Sequence, residues 1–443
     1  MRPDTTKPAR FFLRAARAFA LSVAALFLLL LAAYALPGGA VRRNLAASAA
    51  TIQREGLYPE FFGFKLFQMD NYTDTIMLFE AATADETDPL TAMMTNTAYN
   101  VDNFETLADD LQTYLEARAA GEPLPDSLEP FSYARYWHGY LIWLRPLLCL
   151  MPYAGVRVVQ YLALAALFAL VLAGLWRRAG PRVAVWFAVS QLLVSVFFVP
   201  HQVQFFTCFF IAYAGCAWVL ARERDVWSLS VGLIVLGVAT AFCDLLVTPI
   251  LTLGLPMACW LLCVAQRLVA SPRQCAAVVG GSLCWGVGYG GCWALKWALA
   301  GLVTGQDVIG DALHQIGVRT TADTWHGIEL TWGNIFQFVY DTLAGRGLFW
   351  PLVAACVLAV ALFAVCVRGK DALARALPLG LTALMAPAWL CLLRTHSIQH
   401  GWFTWRALAV ALFAGLAFLS CACSWKAGAG RIRKLIMKSE KLR

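Results

Sequence analysis

The sequence predicts an all-α, polytopic integral membrane protein. It has about ten transmembrane helices and a large helical extracytoplasmic loop after the first. Three observations carry this. Of 443 residues, 60% are hydrophobic and 14% charged, and the mean hydropathy is +0.64. No water-soluble fold hides that much apolar surface. Apolar runs of about 20 residues recur, long enough to cross a bilayer as helices with every backbone group bonded internally. One long polar segment, residues 37–153, interrupts them. Runs of span length, in place of alternating runs of about 10 residues, argue against an outer-membrane barrel.

The first element follows Arg2, Lys7, Arg10, Arg14 and Arg17 and covers 18–36. It resembles a secretory signal, but its apolar run exceeds the usual core of about 7–15 residues. It reads as an uncleaved first span with a cytoplasmic N-terminus. Residues 37–156 form the extracytoplasmic loop. Six spans follow in 157–300, at 157–175, 183–199, 203–221, 226–243, 247–266 and 276–300. The run 226–265 is too long for one crossing at about 1.5 Å per residue, and Asp244 with Pro249 divides it. Residues 301–347 form a second extracytoplasmic loop. Three more spans occupy 348–422, at 348–367, 376–393 and 402–422. Residues 423–443 form a basic cytoplasmic tail that lies against anionic headgroups.

Charge orients these spans. The predicted inner segments hold 22 of the 35 Lys and Arg but only 5 of the 27 Asp and Glu. Basic residues stay on the cytoplasmic side, so both termini are placed there. The net charge of +8 is therefore a topology signal and implies no nucleic-acid partner. The 14 cysteines lie in or beside spans, without metal-ligand or disulfide spacing.

Within the first loop the pattern is helical, with no strand. Residues 40–56 read as an interfacial helix. Val101, Phe104, Leu107, Leu111 and Leu115 recur at three and four, predicting a helix that ends near Gly121. Residues 121–130 are a turn-rich linker, and 133–153 an interfacial helix rich in Tyr and Trp. In the second loop 332–343 is amphipathic. All six histidines fall on the predicted outer side.

Several side chains are candidates for chemistry. Asp70 and Asp74 are one helical turn apart in QMDNYTDTIML. Two carboxylates so placed can share a proton, hold a divalent cation, or act as base and electrostatic partner. The plainer reading is a helix cap and a solvated charge. Asp244 is the acid within a long apolar run, where a carboxylate faces protein or water; it equally suits a span end. His138 and Arg145 lie among aromatics before the chain re-enters lipid. In RTHSIQHGWFTWR, His396 and His400 are flanked by Arg394 and Arg406. Arginine pairs with phosphate in bidentate fashion, so this run suits an anion better than zinc. Snorkelling arginines in an aromatic belt are the alternative. No Walker loop, nucleophile elbow or zinc-finger spacing marks a nucleotide or hydrolase site.

This layout resembles the C-type (GT-C) membrane glycosyltransferases. DNYTDTIML, YWHGYLIWLRPLL, DLLVTPILTLGLP and HSIQHGWFTWR also resemble segments of an uncharacterised bacterial polytopic family. The glycosyltransferase resemblance implies a site on the outer face of the bacterial inner membrane. It implies a polyprenyl-phosphate sugar donor and an extracytoplasmic glycan, lipid or protein acceptor. Asp70 or Asp74 matches the loop acid and would be the base. Arg145, Arg394 and Arg406, with His396 and His400, would hold the leaving phosphate. A transporter or flippase of a lipid-linked or anionic substrate, or a non-catalytic envelope-assembly subunit, are the rival classes.

Overall fold

The computed structural model describes residues 6–63, 67–263, 271–344, 349–424, 426, 428–431, 433 and 437. Most of the 423–443 tail, Lys438 included, lies outside them. Helix α1 (Thr6–Tyr34) leads into a layer of five helices: α2 (Gly38–Glu55), α3 (Asn71–Thr83), α4 (Pro89–Thr95), α5 (Leu107–Ala120) and α6 (Leu141–Leu150). Their ends follow local chemistry. Asp88 accepts from the N–H groups of Leu90 and Thr91 and starts α4, with Pro89 at its first position. Gly121, at φ 71°, ends α5 in the left-handed conformation that glycine adopts without strain. The expected helix at 133–153 is shorter, because His138 has φ 56° and breaks the segment before α6.

The expectation of no strand in the first loop is corrected by a short ribbon, and a second ribbon lies in the second loop. Residues Thr97–Tyr99 pair antiparallel with Pro130–Ser132, and Thr324–Trp325 with Ile328–Glu329. Three residues are too few for an alternating pattern to register in the sequence.

The bundle continues with α7 (Tyr153–Ala179), α8 (Pro181–Leu193), α9 (Val203–Ala221), α10 (Val226–Cys243), α11 (Leu251–Cys263) and α12 (Ser271–Thr304). Two helices, α13 (Val308–Thr321) and α14 (Trp332–Ala344), precede α15 (Phe349–Cys366). Then come α16 (Lys370–Ala383), α17 (Met385–Leu392), the short α18 (Arg394–Gln399) and α19 (Gly401–Thr404), and α20 (Leu408–Ala422). Seven helical stretches among the described residues are long and apolar enough to cross a membrane. They are Arg10–Tyr34, Tyr153–Ala179, Val203–Ala221, Val226–Cys243, Pro272–Thr304, Lys370–Leu392 and Gly401–Ala422. Exposed leucines such as Leu21, Leu28, Leu162 and Leu170 face outward from α1 and α7, as lipid contact requires.

Three of the ten expected spans are not among the seven. That at 183–199 is interrupted where Ser195 takes φ 57°, leaving α8 at 13 residues before a 3-10 turn. That at 247–266 starts late, since residues 244–250 are an irregular loop around Pro249, and α11 has 13 residues. That at 348–367 overlaps α15 and begins outside the described residues.

Helices α10 and α12 form the most extensive pair. Small residues let their backbones meet: a Cβ on Gly288 would stand 2.2 Å from the Ile234 carbonyl oxygen, and one on Gly237 2.3 Å from that of Trp285. Gly286 has open space around it. Overpacking of this kind typically costs about 1–3 kcal/mol. Gly288→Ala is therefore expected to lower the melting temperature in detergent by several degrees while Gly286→Ala leaves it unchanged. Equal melting of the two variants would remove the close approach as a determinant.

Candidate functional site

The polar candidates collect where the helical layer sits on one end of the bundle. Asp70 precedes α3 and is its N-cap, accepting from the Thr73 N–H at 3.0 Å and the Thr73 hydroxyl at 2.7 Å. Gln204 of α9 donates to the same carboxylate at 2.6 Å. Asp74, one turn along α3, meets the same end of α9. It accepts from the backbone N–H groups of Val203 and Gln204 at 3.0 and 3.3 Å, capping α9 from another helix, and from the Tyr153 hydroxyl. Both aspartates are buried. Burial raises both carboxyls, Asp74 to about 7 despite these donors. Each is ringed by N–H and O–H donors, a set that does not suit a divalent cation. Among the described residues no group of three His, Cys, Asp or Glu side chains could hold a metal. This geometry gives the pair the plainer role, that of helix caps clamping the layer to α9.

Arg145 is fully buried and likewise caps helices. It donates to the carbonyls of Ala81, near the end of α3, at 2.8 Å and of Leu36, past the end of α1, at 2.7 Å. These bonds commit part of its guanidinium to helix ends, while its Nε has no hydrogen-bond partner among the described residues. His138 contacts Glu80, with Nδ1 2.8 Å from Oε2, while Nε2 lies 3.0 Å from the Tyr133 carbonyl. Tyr140 also donates to Glu80. Lys296, on α12, donates to the carbonyls of Met93 and Met94 at 2.9 and 3.2 Å, capping α4. Glu80 and Lys296 escaped the sequence reading. Lys296 was findable, as a cation inside an apolar span; Glu80 carries no such mark.

The loop between α10 and α11 joins the remaining candidates. Gly139 donates to Phe242 O at 2.8 Å, and a Cβ there would stand 2.4 Å from that oxygen, so the 133–141 segment lies directly on the end of α10. His396 reaches the same loop, with Nε2 2.9 Å from Leu246 O. Leu246 itself has φ 66°, a strained conformation for a branched side chain. Asp244, 2% exposed, accepts from the Val247 N–H through Oδ1. Its Oδ2 has no N–H or O–H partner at hydrogen-bond geometry among the described residues, with the Leu245 and Leu246 N–H groups and the weakly donating Cys208 thiol near the carboxylate. Cys208 is one turn below Gln204 on α9, about 6 Å along the helix, which ties Asp244 to the aspartate clamp.

Other unpartnered buried atoms gather here. They are Thr248 Oγ1, Tyr289 OH, Trp293 Nε1 and His396 Nδ1. Tyr289 lies within electrostatic reach of Asp244 and stacks against Trp285, with Trp293 and Trp389 alongside. Arg319 of α13 acts electrostatically on Tyr289, His396 and His400, though the sequence did not single it out. A loop arginine has no mark of its own; only the fold brings it here. Burial, reinforced by Arg319, lowers His396 to about 3, so the ring is neutral. A carbonyl can only accept, so Nε2 carries the proton and Nδ1 is left as an acceptor. His400 is lowered by burial first, then by His396 and Arg319; its ring is 4.7 Å from that of His396.

Arg406 is buried, its guanidinium 4.8 Å above Phe205. Arg394 is half buried at the first residue of α18 and forms no hydrogen bond or ion pair with a described residue. The structure thus brings together Asp244, His396 and His400, and places Asp70, Asp74, His138 and Arg145 in the supporting frame.

Burial raises Asp74 and Asp244 from an ordinary 3.8 to about 7. Folding therefore takes up protons between about pH 4 and 7, and stability from this source, full below pH 4, is lost as pH rises through 7. The melting temperature in detergent is expected to fall from pH 5 to 8, and to fall less in Asp244→Asn. An unchanged slope in that variant would remove Asp244 as a source. Set against known proteins, the chain matches no family model, and no curated protein or solved structure is detectably similar to it.

Proposed function

We propose that the protein is a membrane-embedded transferase that moves a sugar from a polyprenyl-phosphate donor to an acceptor, with Asp244 as general base. One observation carries the reading: a buried carboxylate with an open oxygen among aromatic rings, beside a neutral histidine acceptor and an arginine. Buried polar atoms without partners cost about 1–3 kcal/mol each, and a ligand that satisfies them recovers this. Asp244 Oδ2 and His396 Nδ1 accept, Trp293 donates, and Tyr289 and Thr248 do either. That mixture suits a polyhydroxylated ring, whose apolar faces pack on aromatic side chains.

The chemistry is a displacement at the anomeric carbon. The acceptor hydroxyl gives its proton to Asp244 Oδ2 while its oxygen bonds to that carbon. The bond to the carrier phosphate breaks, and its electron pair leaves on the phosphate oxygen. Arg319 stabilises the phosphate charge, with Arg394 and Arg406 on the flanking segments. A carboxyl near pKa 7 is matched to proton transfer at neutral pH.

Ten crossings in a bacterial inner membrane, with both termini cytoplasmic, complete the proposal. The bias of Lys and Arg supports it. Cysteines introduced at Glu105, His314 and Lys426 in a cysteine-free background test it. Positions 105 and 314 are expected to react with an impermeant maleimide on intact cells and 426 only after lysis. Labelling of 426 from outside would overturn the topology.

Transfer from a synthetic polyprenyl-phosphate sugar in proteoliposomes tests the chemistry. Loss of a positioned base is typically worth about 10²–10⁴ in rate. Asp244→Asn is expected to lose that much while melting no lower than the unaltered chain, and Asp109→Asn to remain active. Near-normal transfer by Asp244→Asn would rule out this base.

A further inference from the structure

A cavity lies at the other end of the bundle, away from Asp244 and the aspartate clamp. It has a volume of about 680 Å³ and sits between the start of α1, the end of α9 and the start of α10. Arg10, Arg14, Arg222 and Arg224 line it, and among the described residues the one acid in its wall is Asp225. Asp225 is already committed as the N-cap of α10, accepting from the Ser228 N–H at 2.7 Å. The cavity wall is thus strongly cationic.

One of these arginines is held in place by its surroundings, while Arg10, Arg14 and Arg222 are exposed. Arg224 is 8% exposed, stacks 4.3 Å above Trp218 and donates to Trp218 O at 3.0 Å. Its Nε has no hydrogen-bond partner among the described residues. A buried guanidinium with an open donor is costly unless something anionic approaches it. Phe11 and Trp227 pack 4.9 Å apart at the mouth, with Trp227 half exposed, as aromatic rings do at headgroup depth.

Below the arginines the walls turn apolar. Val231, Val235 and Leu236 continue the lining down α10 into the span. Gly232 keeps the floor open: a Cβ there would stand 2.2 Å from Trp218 Cη2. An isolated phosphate fills only a small part of this volume and makes no use of the apolar wall.

We propose that this cavity binds an anionic lipid, its phosphate among Arg10, Arg14, Arg222 and Arg224 and its chain along α10. Basic pockets between membrane helices recognise lipid phosphates in this way, combining charge-assisted hydrogen bonds with apolar contact. The site is separate from the proposed transfer site and does not depend on that activity.

Binding to the full chain in detergent micelles tests the proposal, with three probes. Phosphatidylglycerol carries the charge and the tails, phosphatidylcholine the same tails without net charge, and glycerol phosphate the charge without tails. The chain is expected to prefer phosphatidylglycerol to both, by at least about tenfold, and Arg222→Gln with Arg224→Gln is expected to remove the preference. Arg10→Gln with Arg14→Gln changes exposed side chains that pack against little, and is expected to weaken it even if the first pair disturbs folding. Equal binding of the two lipids by the unaltered chain would overturn the anion site. So would an unchanged preference in both double variants. Glycerol phosphate binding as tightly as phosphatidylglycerol would overturn the lipid assignment.

Discussion

Helix ends are the constraint on which the structure depends. Each helix leaves four N–H and four C=O groups without intrahelical partners, and a buried end must find them elsewhere. Here a layer of helices is pressed onto one end of a membrane bundle, so many ends meet away from water. Asp74 answers the start of α9, Asp70 the start of α3, Arg145 the ends of α3 and α1, and Lys296 the end of α4. Negative groups meet helix starts and positive groups meet helix ends, as the helix dipole favours. The charged residues of the junction are first of all the means by which layer and bundle are joined.

That economy makes the exceptions informative. Open atoms also occur in the frame, at Glu80 Oε1 and Arg145 Nε, but around Asp244 several lie close to one carboxylate. The α9 spine connects the two. Its first turn is held by the aspartate clamp, and Cys208, farther along, lies beside Asp244. A rigid frame of this kind is what a reactive carboxylate needs, since small displacements of the reacting groups cost large factors in rate.

The two ends of the bundle solve different problems. At the layer end, carboxylates, neutral histidines and aromatic rings are enclosed by protein. At the opposite end, arginines and tryptophans line a cavity of about 680 Å³. The proposed transferase and the proposed lipid site therefore draw on different chemistry within one fold.

By itself the sequence determined the helical membrane character and the extent of several helices, α2, α9, α10 and α14 among them. These rest on apolar run length, amphipathic period and cap residues, all local properties. It also selected Asp244 and His396, because an acid in an apolar run and paired histidines in an aromatic segment are locally conspicuous. It did not separate the capping aspartates from the open one. Asp70 and Asp74 look reactive along the chain, and the groups that occupy them, Gln204, Val203 and Tyr153, lie roughly 80 to 130 residues away. Nor did it reveal Arg319, Glu80 or Tyr289, ordinary residues until the fold brings them together. Whether a carboxylate is a cap or a base depends on which donors reach its oxygens, and only tertiary packing decides that.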